Sequence, residues 1–235
     1  TATEEYRRRV IQLGEQPDRV FNVGAAGIDN IKRLKLLSKQ EFEQSINFKL
    51  GKKNLLVTFH PVTLEDTTSK QQFSDLLTAL NKLEDTHIIF TKANADTDGR
   101  VINKMIDKYV LEQPETTIAF NSLGQLRYLS AMQYVDGVVG NSSSGLLEAP
   151  SFKIGTVNIG DRQRGRVKAS SIIDSISTEE SVASALKKLF SQEFSNSVKQ
   201  TVSPFGNGGV AEKIVKIIDS FPLDDILKKK FYNEI

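Results

Sequence analysis

The chain has 235 residues, of which 39% are apolar and 26% charged, and its formal net charge is +2. That length and balance suit one large packed domain, or one domain with attached ends, and exclude wholesale disorder. The near-neutral charge gives no support for a nucleic-acid partner, which announces itself as a basic face. There is no Cys and the only histidines are His60 and His87, so disulfides, thiolate nucleophiles and histidine-rich metal sites are out. No apolar run approaches the ~18 residues of a membrane span and no signal peptide opens the chain, so no membrane partner and a cytoplasmic setting are expected. The first residue is Thr1, and the charged helical pattern that follows at once is what a piece of a longer protein would show.

In chain order, residues 3–14 read as a helix with Glu4 and Glu5 in its first turn and Gly14 as its stop. Its arginines, Arg7 to Arg9, read as a solvated face. Residues 19–24 (Arg-Val-Phe-Asn-Val-Gly) read as a short strand, followed by a glycine turn and a helix to about Lys39. These first 40 residues are expected to be the end of a preceding half, and the polar stretch 41–53 a linker. From Asn54 the pattern becomes regular. Leu55-Leu56-Val57-Thr58-Phe59 is the continuous apolar run of a strand covered on both faces. Further strands are expected at 87–91, 116–120, 136–140 and 154–159, with a last edge strand at Ile172-Ile173. Helices are expected at 70–83, 100–112, 124–133, 178–190 and 210–220, and a further helical tail at 221–235. Strand and helix alternate at least five times, so the fold class is α/β: a Rossmann-like, three-layer, mostly parallel sheet over residues 54–220.

The chemistry gathers after the strands. In such sheets ligands sit outside the carboxyl ends of the strands, and His60, Asn94, Asn121, Ser142, Ser143 and Arg162 each follow the end of a different strand or share its turn. Residues 138–150 (VVGNSSSGLLEAP) read as a buried strand, a glycine–serine turn, a short helix and a proline stop. Gly140 and Gly145 would allow positive φ and close approach of a ligand. The helix start and the hydroxyls of Ser142 and Ser143 would offer donors to an anion. Glu148, six residues past Ser142, lies about 9 Å along a helix. An ionised carboxylate only accepts hydrogen bonds, so it suits a sugar diol and repels a phosphate. Asn141 and the serines are equally ordinary as cap and turn residues, and both readings stand at this point. His60 is either a loop histidine or a phosphate donor or acid/base. Arg162 and Arg166 carry forks suited to phosphate, with a solvated loop as the alternative. Asp96 and Asp98 could suggest a metal, but turn-forming Asp is far commoner, so no metal is expected.

Four segments, taken together, carry a resemblance: His60-Pro61-Val62-Thr63; Gly140-Asn141-Ser142-Ser143-Ser144-Gly145 with Glu148; Gly160-Asp161-Arg162-Gln163-Arg164-Gly165-Arg166; and Pro204-Phe205-Gly206-Asn207-Gly208. Their order resembles that in UDP-N-acetylglucosamine 2-epimerases, over essentially the whole chain. The Asn-Ser-Ser turn and the Arg-Gln-x-Gly-Arg loop look more like the hydrolysing branch, which feeds sialic acid synthesis. Residues 15–24 are similar to that family's segment between its two halves.

The resemblance implies the C-terminal half of a B-type glycosyltransferase (GT-B) fold that binds UDP, with no cofactor. It implies that Ser142 and Ser143 hold the pyrophosphate, that Glu148 holds the ribose and that the Asn121 backbone meets the uracil. His60, Asn94 and Arg162 would meet phosphates or sugar, with Arg166 nearby and His60 and Arg162 serving catalysis. The implied substrate is UDP-N-acetylglucosamine or a related UDP-sugar, and the implied reaction eliminates UDP and then adds water, giving N-acetylmannosamine. The implied partners are the family's N-terminal half and a second copy in a homodimer. That half, with its proposed acid/base carboxylates, is absent here, so the chain alone is expected to bind UDP weakly without turnover. Asn207 stands where many relatives carry Asp. A glycosyltransferase donor domain and a non-catalytic nucleotide-sugar module are the alternatives.

Overall fold

The five residues 55–59, four of them apolar, must alternate sides if they form a strand, and this alternation organises the molecule. In the computed structural model, which describes residues 1–62, 68–94, 98–224 and 226–233, the chain runs through α1 (Glu4–Gln12), a 3₁₀ turn (Pro17–Arg19), α2 (Gly27–Arg33), α3 (Lys39–Ile46), β1 (Lys53–Thr58), α4 (Ser69–Leu80), β2 (Thr86–Thr91) and α5 (Gly99–Glu112). It continues through β3 (Thr117–Phe120), α6 (Gly124–Ala131), β4 (Gly137–Gly140), the single turn α7 (Ser144–Leu147), a 3₁₀ turn (Ala149–Phe152), β5 (Gly155–Ile159), β6 (Ile172–Ser175), α8 (Glu179–Leu189), α9 (Gln192–Val198) and α10 (Val210–Ser220).

Two compact units result, one formed by residues 35–202 and the other by residues 1–34 with 203–235. In the larger unit, β1 to β6 form one parallel sheet in the order β3-β2-β1-β4-β5-β6. Leu55, Val57 and Phe59 turn to one face and pack with Phe73 and Leu76 of α4, Ile102 of α5 and Leu186 of α8. Leu56, Ile89 and Val138 turn to the other, against Phe42 and Ile46 of α3 and Ala131 of α6. Both faces are therefore covered, as a parallel sheet requires, and the α/β three-layer expectation is met. The row Phe120, Thr91, Thr58, Gly140, Asn158, Asp174 runs in register across the sheet; four strands end on it and β5 and β6 one residue beyond, so the carboxyl ends reach one rim together.

Several local expectations need correction. Residues 19–24 are not a strand: a 3₁₀ turn ends at Arg19, and the extended stretch beyond it is bonded to Thr1, through Val23 N–H to Thr1 O and the Thr1 amino group to Phe21 O. A ladder needs a partner strand, and none lies beside it among the described residues. The helix expected to reach Lys39 stops at Arg33, because Leu34 is extended (ψ 133°). Ser38 then starts a new helix: its side chain accepts from Glu41 N–H while Glu41 accepts from Ser38 N–H, a reciprocal capping box. The first part of the supposed linker 41–53, up to Ile46, is thus the body of α3, and its Phe42 and Ile46 are core residues. The tail 221–235 contains no helix among its described residues. Residues 203–220, expected within the UDP-binding domain, group with the smaller unit.

That smaller unit is held by an unusual cap. Gly209, at the start of α10, has no side chain to cap the helix. Asp29 of α2, distant in sequence, does it instead, accepting from Val210 N–H at 3.0 Å and Ala211 N–H at 2.9 Å. These backbone donors, chiefly Val210 then Ala211, hold the Asp29 carboxyl below the usual carboxylate range against the opposing effect of burial. A depressed carboxyl pKa contributes stability above the unfolded pKa that is lost as pH falls through the folded one. Asp29→Asn is therefore expected to destabilise the smaller unit at neutral pH, with the difference from wild type closing as pH falls. Hydrogen exchange of the α10 amides across pH checks this, and a pH-independent difference would show that the carboxylate charge is not responsible.

Candidate functional site

The order 3-2-1-4-5-6 places its reversal between β1 and β4. At that point the two neighbouring strands send their following loops to opposite sides and open a crevice at the carboxyl rim. The residues just beyond these strands are His60 and Asn141. Asn141 is 1% exposed and uses every polar atom it has. Its Oδ1 accepts from His60 N–H at 2.8 Å, its Nδ2 donates to His60 O at 2.8 Å, and its own N–H donates to Thr58 O. Its carbonyl accepts from Arg162 Nη1 at 3.0 Å and from Gln163 Nε2 at 2.8 Å. The side-chain amide acts as one more rung of the β1–β4 ladder, and the carbonyl anchors the loop after β5.

Gly140 makes this possible. It sits at φ +130°, and a Cβ there would lie 1.9 Å from Thr58 O. Gly145 serves a different purpose from the one expected: its φ is not positive, and it is small because a Cβ would meet Thr156 Cγ2 at 2.6 Å. Thr156 Oγ1 also donates to Gly145 O at 2.9 Å. The serine turn is thereby clamped from β1 on one side and β5 on the other.

Ser142 and Ser143 are half-buried in this turn. Ser142 Oγ accepts a long bond (3.4 Å) from Ser144 N–H, leaving its own proton to donate elsewhere. The backbone N–H groups of Ser142 and Ser143 take no partner among the described residues. Two backbone donors and two hydroxyls on one rigid turn form a nest suited to an anion. The helix behind them is a single turn, α7, so the donors themselves matter more here than a helix dipole, which needs aligned turns.

Glu148 does not stand at the end of one continuous helix. A single α turn passes into a 3₁₀ turn at Ala149, and the carboxyl folds inward, its Oε2 buried together with Tyr128 OH and Ser144 Oγ. Burial raises its pKa, and a weaker interaction with Ser144 opposes this. No basic side chain among the described residues acts on it, so desolvation wins, the reverse of Asp29.

Of the other expected residues, Arg162 is tied to the turn as described, and its guanidinium reaches the crevice from an exposed loop. Arg166 lies further along the same loop, exposed, its N–H donating to Gln163 O. Asn94 and Asn121 are exposed beyond β2 and β3. Asn121 follows the edge strand, three strand spacings from Asn141, or about 14 Å. They share the rim without touching the cluster. Asp96 and Thr63 lie outside the described residues, and among the described residues no three His, Asp or Glu side chains converge as a metal site would require. Asn141 and Gln163 were not expected as site residues. The sequence signal for Asn141 was its place directly after a buried strand's terminal Gly, and for Gln163 its place in the Arg-Gln-x-Gly-Arg loop.

A turn suited to an anion at the switch point of a six-stranded, doubly covered parallel sheet defines a Rossmann-like domain, and solved structures set beside it share that fold. The chain belongs to the UDP-N-acetylglucosamine 2-epimerase family, whose model matches residues 1–219. It is 39% identical over 229 residues, 97% of its length, to GDP/UDP-N,N'-diacetylbacillosamine 2-epimerase (hydrolyzing) of Campylobacter jejuni, and covers 59% of that protein. It is 38% identical over 94% of its length to polysialic acid biosynthesis protein P7 of Escherichia coli, covering 56% of it. The chain thus spans less than three fifths of the length of these curated relatives. Among solved structures, the S. aureus MnaA–UDP co-structure matches with TM-score 0.75 at 16% identity, covering 100% of this chain and 63% of that one. The Methanocaldococcus jannaschii UDP-GlcNAc 2-epimerase in complex with UDP-GlcNAc and UDP matches with TM-score 0.72 at 19% identity, over 93% of this chain and 60% of that one. These place the fold with the GT-B-type epimerases. Among the described residues no helix is long and apolar enough to cross a membrane.

Two outcomes follow. Asn141→Ala leaves the His60 N–H and C=O without their partner and is expected to cost about 1–3 kcal/mol of stability, measured by urea unfolding; a loss within about 0.5 kcal/mol, the range of a surface change, would show that the clamp is not structural. Glu148 behaves oppositely to Asp29. A carboxyl with a raised folded pKa stabilises below its unfolded pKa and loses that contribution as pH rises through the folded one. Glu148→Gln is therefore expected to raise the melting temperature at neutral pH and to converge with wild type in acid, as read by thermal unfolding at both.

Proposed function

We propose that this chain is the nucleotide-binding half of a hydrolysing UDP-sugar 2-epimerase that acts on a UDP-linked 2-acetamido sugar, UDP-N-acetylglucosamine or a 4-substituted relative, in the formation of sialic-acid-type sugars. The observation that carries this reading is the clamped turn at residues 140–145, which follows β4 at the switch point and whose Ser142 and Ser143 N–H groups take no partner among the described residues. The names borne by the relatives support it: two are hydrolysing 2-epimerases of diacetylbacillosamine nucleotides and one belongs to polysialic acid biosynthesis. A structural neighbour holds UDP-GlcNAc and UDP.

On this reading Ser142 and Ser143 receive the diphosphate, Glu148 accepts from the ribose hydroxyls, and the exposed rim beyond β3 at Asn121 receives the base. Asn94 and Arg166 line the approach. In the reaction a proton leaves C2 of the sugar, the C1–O bond to the diphosphate breaks with its electron pair going to UDP, and a C1=C2 alkene remains. Water then adds, its hydroxyl to C1 and a proton to C2 from the opposite face, giving the manno configuration. The task of this half is to stabilise charge that develops on the departing diphosphate. Fixed donors do this without reorganising during the step, and His60 and Arg162 stand beside them to add to the effect. The groups that move the C2 proton belong to the remainder of the longer protein, so this chain alone binds UDP and does not turn over.

Titration calorimetry with UDP tests the site. Ser142→Ala with Ser143→Ala is expected to weaken UDP binding at least about tenfold, the scale of hydrogen bonds to a charged group. In the full-length protein, Arg162→Met is expected to lower kcat for UDP release more than it raises KM, as for a group that acts on developing charge. Undiminished UDP affinity in the double serine variant would overturn the site assignment. Formation of a glycosidic bond in place of free UDP and a 2-acetamido-mannose-type sugar would overturn the reaction.

A further inference from the structure

Behind the serine turn lies a group of polar atoms that the site as described does not use. Tyr128 on α6 is half-buried, but its OH is fully inside, as are Ser144 Oγ and Glu148 Oε2, and none of the three oxygens makes a hydrogen bond of ordinary geometry. They are nonetheless neighbours. The Tyr128 hydroxyl acts on the side chains of Ser144 and Thr58 and feels the charge of Glu148, and Ser144 acts on Glu148. Ser144 and Glu148 are four residues apart on one helical turn, with Glu148 N–H bonded to Ser144 O at 2.9 Å, so their side chains share a face. Thr58 Oγ1 is in turn bonded to Thr91 Oγ1. A string of hydroxyls thus runs Thr91, Thr58, Tyr128, Ser144 and ends on the Glu148 carboxyl. Three buried oxygens left without bonds in one place are costly.

We propose that Tyr128 is a positioning residue: its phenol donates to Ser144 Oγ, which turns the Ser144 proton onto Glu148 Oε2 and aims the other carboxylate oxygen at the ribose hydroxyls of the bound nucleotide. The chemistry fits the donor inventory. Phenol and serine each supply one proton and the ionised carboxylate accepts only, so the string has one direction when Glu148 is charged. No basic side chain among the described residues acts on Glu148, so in this environment neutral donors are what hold its charge in place. The proposal rests on Glu148 meeting the ribose, as put forward above.

The test uses the full-length protein, UDP and 2′,3′-dideoxy-UDP, which lacks the hydroxyls in question. Wild type is expected to prefer UDP. Tyr128→Phe removes one oxygen and keeps the ring in its packing, and is expected to weaken UDP about fivefold, roughly one hydrogen bond, with dideoxy-UDP affinity unchanged. Ser144→Ala is expected to do the same, which keeps the test available if one variant fails to fold. Glu148→Gln should abolish the preference, and Tyr128→Phe should add nothing on top of it. The pH above which UDP outbinds dideoxy-UDP should move upward in Tyr128→Phe, because the carboxylate loses a donor chain that favours its charged form; a merely structural role would not move it. If Glu148→Gln abolishes the preference while Tyr128→Phe and Ser144→Ala keep it, the positioning role is overturned and the ribose contact stands. If Glu148→Gln itself keeps the preference, the ribose contact is wrong and the proposal falls with it.

Discussion

The side-chain amide of Asn141, closed on the backbone of His60, is the interaction from which the candidate site takes its shape. A parallel sheet loses its ladder where two strands part at the switch point, and the polar backbone exposed there must be satisfied somehow. Asn141 does this with a group that mimics a peptide unit, and Gly140 lets it come close enough. Because the same residue's carbonyl receives Arg162 and Gln163, the loop after β5 is registered against the loops after β1 and β4. The serine turn is then rigid before any ligand arrives. Preorganised donors of that kind do most for a reaction whose charge develops in one place, since nothing need reorganise as the charge appears.

Two buried carboxyls show how locally such effects are decided. Asp29 and Glu148 both lose solvent. Asp29 gains two backbone N–H bonds at a helix start, and the bonds outweigh desolvation. Glu148 gains a single weak hydroxyl interaction, and desolvation prevails. The first carboxylate therefore stabilises the fold, while the second is held at a cost to the fold. That pattern is expected where a residue is kept for binding instead of packing.

Much of this was readable from residue order. The run Leu55 to Phe59 specified a strand covered on both sides, and the repeated alternation with amphipathic helices specified a parallel α/β sheet. The motif at residues 140–148 and the loop at 160–166 pointed to the rim that the structure brings together, and the family followed from their order. The failures were local and have physical causes. Residues 19–24 carry strand-forming side chains but have no strand to pair with. The stretch 41–53 looked like a linker because its charged residues mask Phe42 and Ile46, whose spacing is helical. Gly145 was read through its conformational freedom, when what matters is the nearness of Thr156.

By itself, then, the sequence determined the class of fold, the rim where the chemistry gathers and the family, because periodicity and short motifs are properties of neighbouring residues. Only the tertiary structure decided which of those residues touch. That Asn141 bonds His60 across 81 positions of sequence, that Asp29 caps a helix 181 residues away, and that Tyr128 stands behind Glu148 all depend on strand order and helix placement. These contacts arise where packing brings distant segments within hydrogen-bond reach, a distance that no local pattern of residue types encodes.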